Sequence, residues 1–279
     1  MLDINRLNRL TKIFEDQKWD ISEKNNKLYD RFSKLLELLL PEDQDFILNL
    51  TEYYRCYGIE CYEEMLLESL ELMNKHSKEF FESETSRKIL VAPLLEYNNN
   101  NKTTKSSNLM CYLMKSNQLS YLEFLGDIEV EVLTFLDKSD IDRINDENYI
   151  LILVDDYIGS GQTAKRSVNS YLEQGIDKDD IVVISLIIEK TGKGILDNLG
   201  VRYFHSSKKV YTLSEIVDNE DKARQSINRI AKKIKATKSY KAGFNSGGAL
   251  VSMIRTPNNT LPFYWWERKY KAPFPRFKE

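Results

Sequence analysis

The chain has 279 residues, 42% of them hydrophobic and 30% charged, and 40 Lys+Arg against 43 Asp+Glu give a net charge of −3. That length suits one large domain, or one domain with a substantial appendage. The near-balanced charge gives no bulk attraction to nucleic acid or to a membrane surface, and no apolar run reaches the length of a membrane span.

Three cysteines, Cys56, Cys61 and Cys111, are an odd number without metal-ligand spacing. They point to reduced thiols. The first residues show no basic-then-apolar leader pattern, so a cytoplasmic location is expected.

Residues 1–85 contain one proline, Pro41, and one glycine, Gly58. Apolar residues recur there at helical spacing, as in Leu28, Phe32, Leu35, Leu36 and Leu39, and the pattern predicts helices over 3–16, 21–40, 42–56 and 59–82. Pro41 followed by Glu42 and Asp43 makes a good first turn, with proline at the start and acids beside the helix dipole. His76 has no partner histidine or acid cluster nearby and reads as a surface helix residue. With no acid/base or metal-spaced set, the segment is expected to hold a protein partner or to mediate self-association.

From Arg87 the period changes. Residues 89–96 read as a strand, and a polar tract rich in Asn, Lys, Ser and Thr follows over 97–108. Its plain reading is a loop. Its end, Lys105, Ser106 and Ser107, opens a predicted helix over 107–115, whose N-terminus is suited to an anion. Residues 128–135 alternate as a half-exposed strand, and a short helix over 139–145 leads into the stretch that matters most.

Residues 150–163 read ILILVDDYIGSGQT. Five aliphatic residues in a row predict a strand buried on both faces, ending in Asp155 and Asp156. A glycine-rich turn then enters a helix over 164–173. Unpaired N–H groups and the dipole favour phosphate at such a helix start. Gly159 and Gly161 permit positive φ and close backbone approach, while Ser160 and Thr163 supply hydroxyls. The two acids are placed to accept from sugar hydroxyls or to hold Mg²⁺.

Gly159, Gly161 and Ala164 satisfy the dinucleotide fingerprint G-x-G-x-x-A, with Glu189 at the distance of a ribose contact, but that motif starts almost directly at the strand end and here two acids intervene. A methyltransferase loop would carry its acid two positions before the first glycine, and a Walker A loop would end in Gly-Lys-Ser/Thr. The plainest alternative is an acidic strand end followed by an ordinary turn.

Residues 181–188 predict another buried strand, and the β-α-β spacing implies a parallel crossover. A loop with Lys190 follows, then a helix to Leu199, a strand over 201–205 ending in His205, and a charged amphipathic helix over 218–235. The C-terminal section, 243–266, combines turn chemistry, a short strand and an aromatic cluster of Phe263, Tyr264, Trp265 and Trp266.

The apolar run with Asp155-Asp156, two residues, then Gly-Ser-Gly-Gln-Thr resembles the phosphoribosyl-diphosphate (PRPP) motif of type I phosphoribosyltransferases. The resemblance implies that Asp155 and Asp156 bind the ribose 2′- and 3′-hydroxyls, that Gly159, Ser160, Gly161, Gln162 and Thr163 wrap the 5′-phosphate, and that Mg²⁺ accompanies the diphosphate. Lys105, Ser106 and Ser107 then occupy the place of the diphosphate-holding loop, and Lys190 that of a base contact. Together with the segment Thr256-Pro-Asn-Asn-Thr-Leu-Pro262 and the closing tryptophans, the motif is similar to the PRTase-CE family of bacterial conflict systems, some of them retron-associated. That likeness spans about residues 87–266.

The resulting expectation is an α/β fold, a mainly parallel sheet flanked by helices, preceded by a helical region. Residues 1–85 form the helical part and 86–279 the phosphoribosyltransferase-like domain with its aromatic extension. The expected activity is Mg²⁺-dependent binding of PRPP or a phosphorylated ribose nucleotide with making or breaking of an N-glycosidic bond, in anti-phage defence. The alternative is a nucleotide sensor or partner-binding module without turnover.

Overall fold

The computed structural model describes residues 2–21, 27–77, 88–97, 105–125, 128–146, 149–243, 247–268 and 270–276. In chain order the elements are α1 (Ile4–Asp16), α2 (Leu28–Glu37), α3 (Pro41–Thr51), β1 (Arg55–Cys56), α4 (Ile59–His76), β2 (Lys88–Pro93), α5 (Ser106–Leu113), β3 (Val130–Val132), α6 (Lys138–Asp146), β4 (Tyr149–Ile158), α7 (Gln162–Leu172), β5 (Ile181–Ile188), α8 (Lys190–Leu199), β6 (Arg202–His205), α9 (Leu213–Ile216), α10 (Glu220–Ile234) and β7 (Val251–Ser252). The expected helix end at 78–82 and most of the polar tract, 98–104, lie outside the described residues.

These elements form two compact units, residues 58–209 and residues 1–57 with 210–279. This differs from the division expected at 85/86. Helix α4, assigned to the N-terminal region by its period, belongs to the sheet unit, and the C-terminal segment belongs with the first three helices. Helical periodicity marks the buried stripe of a helix but not which core that stripe serves.

The unit of residues 58–209 is a five-stranded, wholly parallel sheet in the order β3-β2-β4-β5-β6, flanked by helices. The chain starts at β2, moves outward to the edge at β3, and returns to β4 on the other side of β2. The direction of winding therefore reverses between β2 and β4, the place where open α/β sheets leave a crevice beyond their strand ends. All eight residues of β5 are buried, as are Tyr149 to Val154 of β4. Each fully buried aliphatic side chain contributes about 1.5–3 kcal/mol, so these two strands are the anchor of the sheet. Helix α4 buries Tyr62, Met65, Leu66, Leu70 and Met73 and packs on β5 and β6. Helices α6, α7 and α8 pack Ile141, Ile144, Ala164, Val168, Tyr171 and Leu196 against Leu90, Leu151, Leu153 and Val183.

The second unit has its own core. Leu10, Phe14, Phe32, Leu36 and Leu48 of α1–α3 cluster with Ile227, Ile230 and Ile234 of α10 and with Leu250, Phe263 and Tyr264. Strand β1 pairs in parallel with β7, and Phe274 stacks on Tyr54 with ring centroids 4.8 Å apart. Pro41 opens α3 as expected. Among the described residues no helix is long and apolar enough to cross a membrane.

Candidate functional site

Strand β4 runs four residues further than its aliphatic run. Asp155, Tyr157 and Ile158 pair with Ser185, Ile187 and Ile188 of β5, whereas β2 stops with Pro93 opposite Val154, and the Leu94 N–H closes on the Val154 carbonyl at 2.9 Å. Asp155 and Asp156 therefore lie inside the strand, on the stretch that β2 no longer covers. The strand was expected to end in the two acids and instead runs on through Ile158.

Consecutive strand residues project to opposite faces, and the contacts follow that rule. On one face the Ser106 hydroxyl, from the first turn of α5, donates to Asp155 Oδ1 at 3.3 Å. On the other the Tyr62 hydroxyl, from α4, donates to Asp156 Oδ2 at 2.8 Å. Asp156 is 4% exposed. The two carboxylates thus have separate hydroxyl partners while still acting on one another, and among the described residues no three His, Cys, Asp or Glu side chains converge as a metal site.

Part of Asp155 reaches solvent, yet its carboxyl group is packed round by protein. Burial, then the neighbouring Asp156 carboxylate, push its pKa well above the usual range, while the Asp156 N–H at 2.9 Å and the Ser106 hydroxyl oppose the rise. Cys111, on the same α5 helix, is buried, and its thiol is pushed up to about 12 by burial and by Asp155. A thiol held so high is protonated and inert at neutral pH.

The glycine turn has two characters. Gly161 takes φ +71 as the residue capping α7, a left-handed conformation that glycine adopts freely. A Cβ there would come within 2.9 Å of Ile195 Cβ and 3.1 Å of Gly192 Cα, and a Cβ on Gly192 would meet the Gly159 carbonyl at 2.9 Å. The turn is thus held down on α8 by two glycines facing each other. Gly159 does not use positive φ. Ser160 is half-buried, while Gln162 and Thr163 are exposed at the start of α7, which has no side-chain cap. Its first-turn N–H groups have no intrahelical partner, as at any helix start.

At α5 the Lys105 N–H donates to Asn108 Oδ1 at 3.0 Å, closing the helix start. Ser107 is 2% exposed. Of the three tract residues singled out from sequence, Ser106 is the one brought onto Asp155. Glu189 caps the start of α8 and accepts from the Tyr157 hydroxyl. His205 donates through Nδ1 to the Ser206 carbonyl at 2.6 Å, and burial lowers its pKa. His76 is an exposed end of α4. Sequence reasoning missed Tyr62, which sits 94 residues from its acid partner and carries no local signal. Its helical spacing marked it only as core.

A five-stranded parallel sheet flanked by helices, with a glycine turn at its winding reversal, defines the class, a parallel α/β fold. The PRTase-CE family model matches residues 39–276. The chain belongs to this family and is a phosphoribosyltransferase-like protein. The match begins within the helices assigned to a separate region and so takes in α3 and α4 along with the sheet. No curated protein matches the sequence.

Proposed function

We propose that the crevice at the C-terminal ends of β2 and β4 binds PRPP, or a related phosphorylated ribose, as its Mg²⁺ complex. The observation that carries this reading is the Ser106–Asp155 contact, which brings the start of α5 onto the strand that leads through the glycine turn into α7, where the sheet reverses its winding. The first-turn N–H groups of α7, with the Ser160 and Thr163 hydroxyls, suit a 5′-phosphate. Asp155 suits a ribose hydroxyl as acceptor, and the start of α5 with Lys105 and Ser106 suits the diphosphate. Mg²⁺ belongs to the ligand in this scheme and neutralises the diphosphate charge.

The proposed reaction is glycosyl transfer at the ribose C1. The C1–O bond to diphosphate breaks, an oxocarbenium-like centre develops, and a base nitrogen forms the new C1–N bond; hydrolysis of a nucleotide would break such a bond instead. Positioning and charge stabilisation do the work, with no protein nucleophile required. Membership of PRTase-CE supports a cytoplasmic role in bacterial anti-phage defence. A second reading, binding without turnover, is favoured by the Tyr62–Asp156 bond, which withdraws one acid from the ribose side.

The test is a single-turnover assay with Mg²⁺ and PRPP against a panel of bases, and with NAD and nucleoside monophosphates, run alongside binding. Glycosyl product supports the enzyme. Mg²⁺-dependent PRPP binding with no product from any acceptor supports the sensor, and no binding of any phosphorylated ribose rejects both.

A further inference from the structure

We propose that the end of α10, the turn after it, and the side chains of Tyr240, Trp266 and Arg268 form a binding surface for single-stranded nucleic acid. The first observation is charge segregation. Residues 222–278 hold fourteen Lys and Arg and a single acid, Glu267, although the whole chain is net −3. That acid is engaged, lying 3.2 Å from Arg31 Nη1 and accepting from the Ala272 N–H at 3.2 Å.

The second observation is where the cations stand. Lys232, Lys233, Lys235 and Lys238 are exposed, and no ion pair among the described residues engages them. Lys232 and Lys233 are enough to offset the C-terminal dipole of α10, which acts within the last turn. Lys235, Lys238 and Arg268 lie beyond the helix and are surplus to that role.

The third is aromatic. Trp266 Nε1 donates to the Lys235 carbonyl at 3.2 Å, which fixes the indole beside the lysines. The Tyr240 ring lies 5.6 Å from that of Trp266, tilted by 38°. The Arg268 guanidinium sits 5.4 Å from the Trp266 ring. Tyr240 and Trp266 are half-buried and Arg268 is exposed, over a floor of buried Trp265. Half-buried rings with an arginine over one of them, beside lysines outside any ion pair among the described residues, match an unstacked base next to its phosphates, the chemistry of sequence-tolerant single-strand binding. A duplex keeps its base faces inside and would use the lysines alone. This surface is independent of the ribose-phosphate reading and stands if that reading fails.

The experiment is fluorescence anisotropy with labelled DNA and RNA single strands of about 20 nucleotides, the matching duplex, and phosphatidylglycerol vesicles, across a salt series. The full chain is expected to bind single strands more tightly than duplex or vesicles, with affinity falling steeply with salt. The K232E/K233E/K238E variant, changed only at exposed positions, should lose at least about tenfold in affinity and flatten the log–log salt slope by about 2, because each single-strand phosphate contact contributes about 0.7. Trp266→Ala should weaken single-strand binding by about tenfold with the slope unchanged. If that variant unfolds, Arg268→Glu replaces it, with a slope change of about 0.7 expected. Absence of salt-dependent binding, a triple variant that binds as wild type does, or preference for vesicles or duplex would overturn the proposal.

Discussion

At Asp155 the sequence places an ionisable group where burial and a second carboxylate both disfavour its charge. A carboxyl whose folded pKa is raised binds its proton more tightly in the folded than in the unfolded chain. Its stabilising contribution is complete below the unfolded pKa and is lost as pH rises through the folded value. Asp155→Asn keeps the shape and removes the buried charge. Thermal melts across pH should therefore show the wild type and variant converging in acid, and the variant more stable by about 1–3 kcal/mol near neutrality. Equal melting at every pH would show that Asp155 ionises freely. Both acids of the pair could be read from the motif, because an acid pair before a glycine turn has a chemical meaning in local sequence. Their separation onto two faces could not, since it depends on β4 continuing as a strand. Tyr62 was unreadable for the same reason, as its role exists only through a contact between distant elements.

Among the elements, the strands that could be read from sequence were those with continuous aliphatic runs. β5 spans the expected 181–188, and β4 was found but ended too early. Asp is depleted in strands, so the propensity rule stops the strand at Asp155, while pairing through Ile158 and Ile188 carries it on. The glycine turn shows a similar limit. Its anion-binding potential follows from composition, but its seat on α8 does not. Gly161→Ala should lose about 2 kcal/mol or more, from the left-handed conformation and from contact with Ile195 and Gly192. Denaturant unfolding measures this, and an unchanged midpoint would mean that the turn is not locked against α8. Gly194, with nothing near its added Cβ, is the control in the same helix. It should show no steric penalty.

On the scale of the whole molecule, the compact units part from the expected 85/86 boundary because composition shifts mark a change of texture, and here the texture changes inside a unit. Residues 1–57 share one apolar core with α10 and the C-terminal segment, so removing them strips Phe14, Phe32 and Leu48 from their partners. A chain of residues 58–279 should aggregate or fail to melt cooperatively, while residues 58–209 alone should give a cooperative transition by circular dichroism. A well-folded 58–279 fragment would contradict the two-core description. The average of −3 also conceals a C-terminal segment whose charged residues are almost all Lys or Arg.

Titration calorimetry of Mg²⁺–PRPP into the wild type, Asp155→Asn and Asp156→Asn tests the ribose-phosphate site most directly. Binding is predicted for the wild type, with a loss of about tenfold or more in Asp155→Asn, because a charge-assisted bond to a ribose hydroxyl is worth about 1.5–3 kcal/mol. Asp156→Asn, whose partner is Tyr62 on the opposite face, should lose distinctly less. Affinity unchanged in a folded Asp155→Asn, or no heat of binding from the wild type, would contradict the assignment.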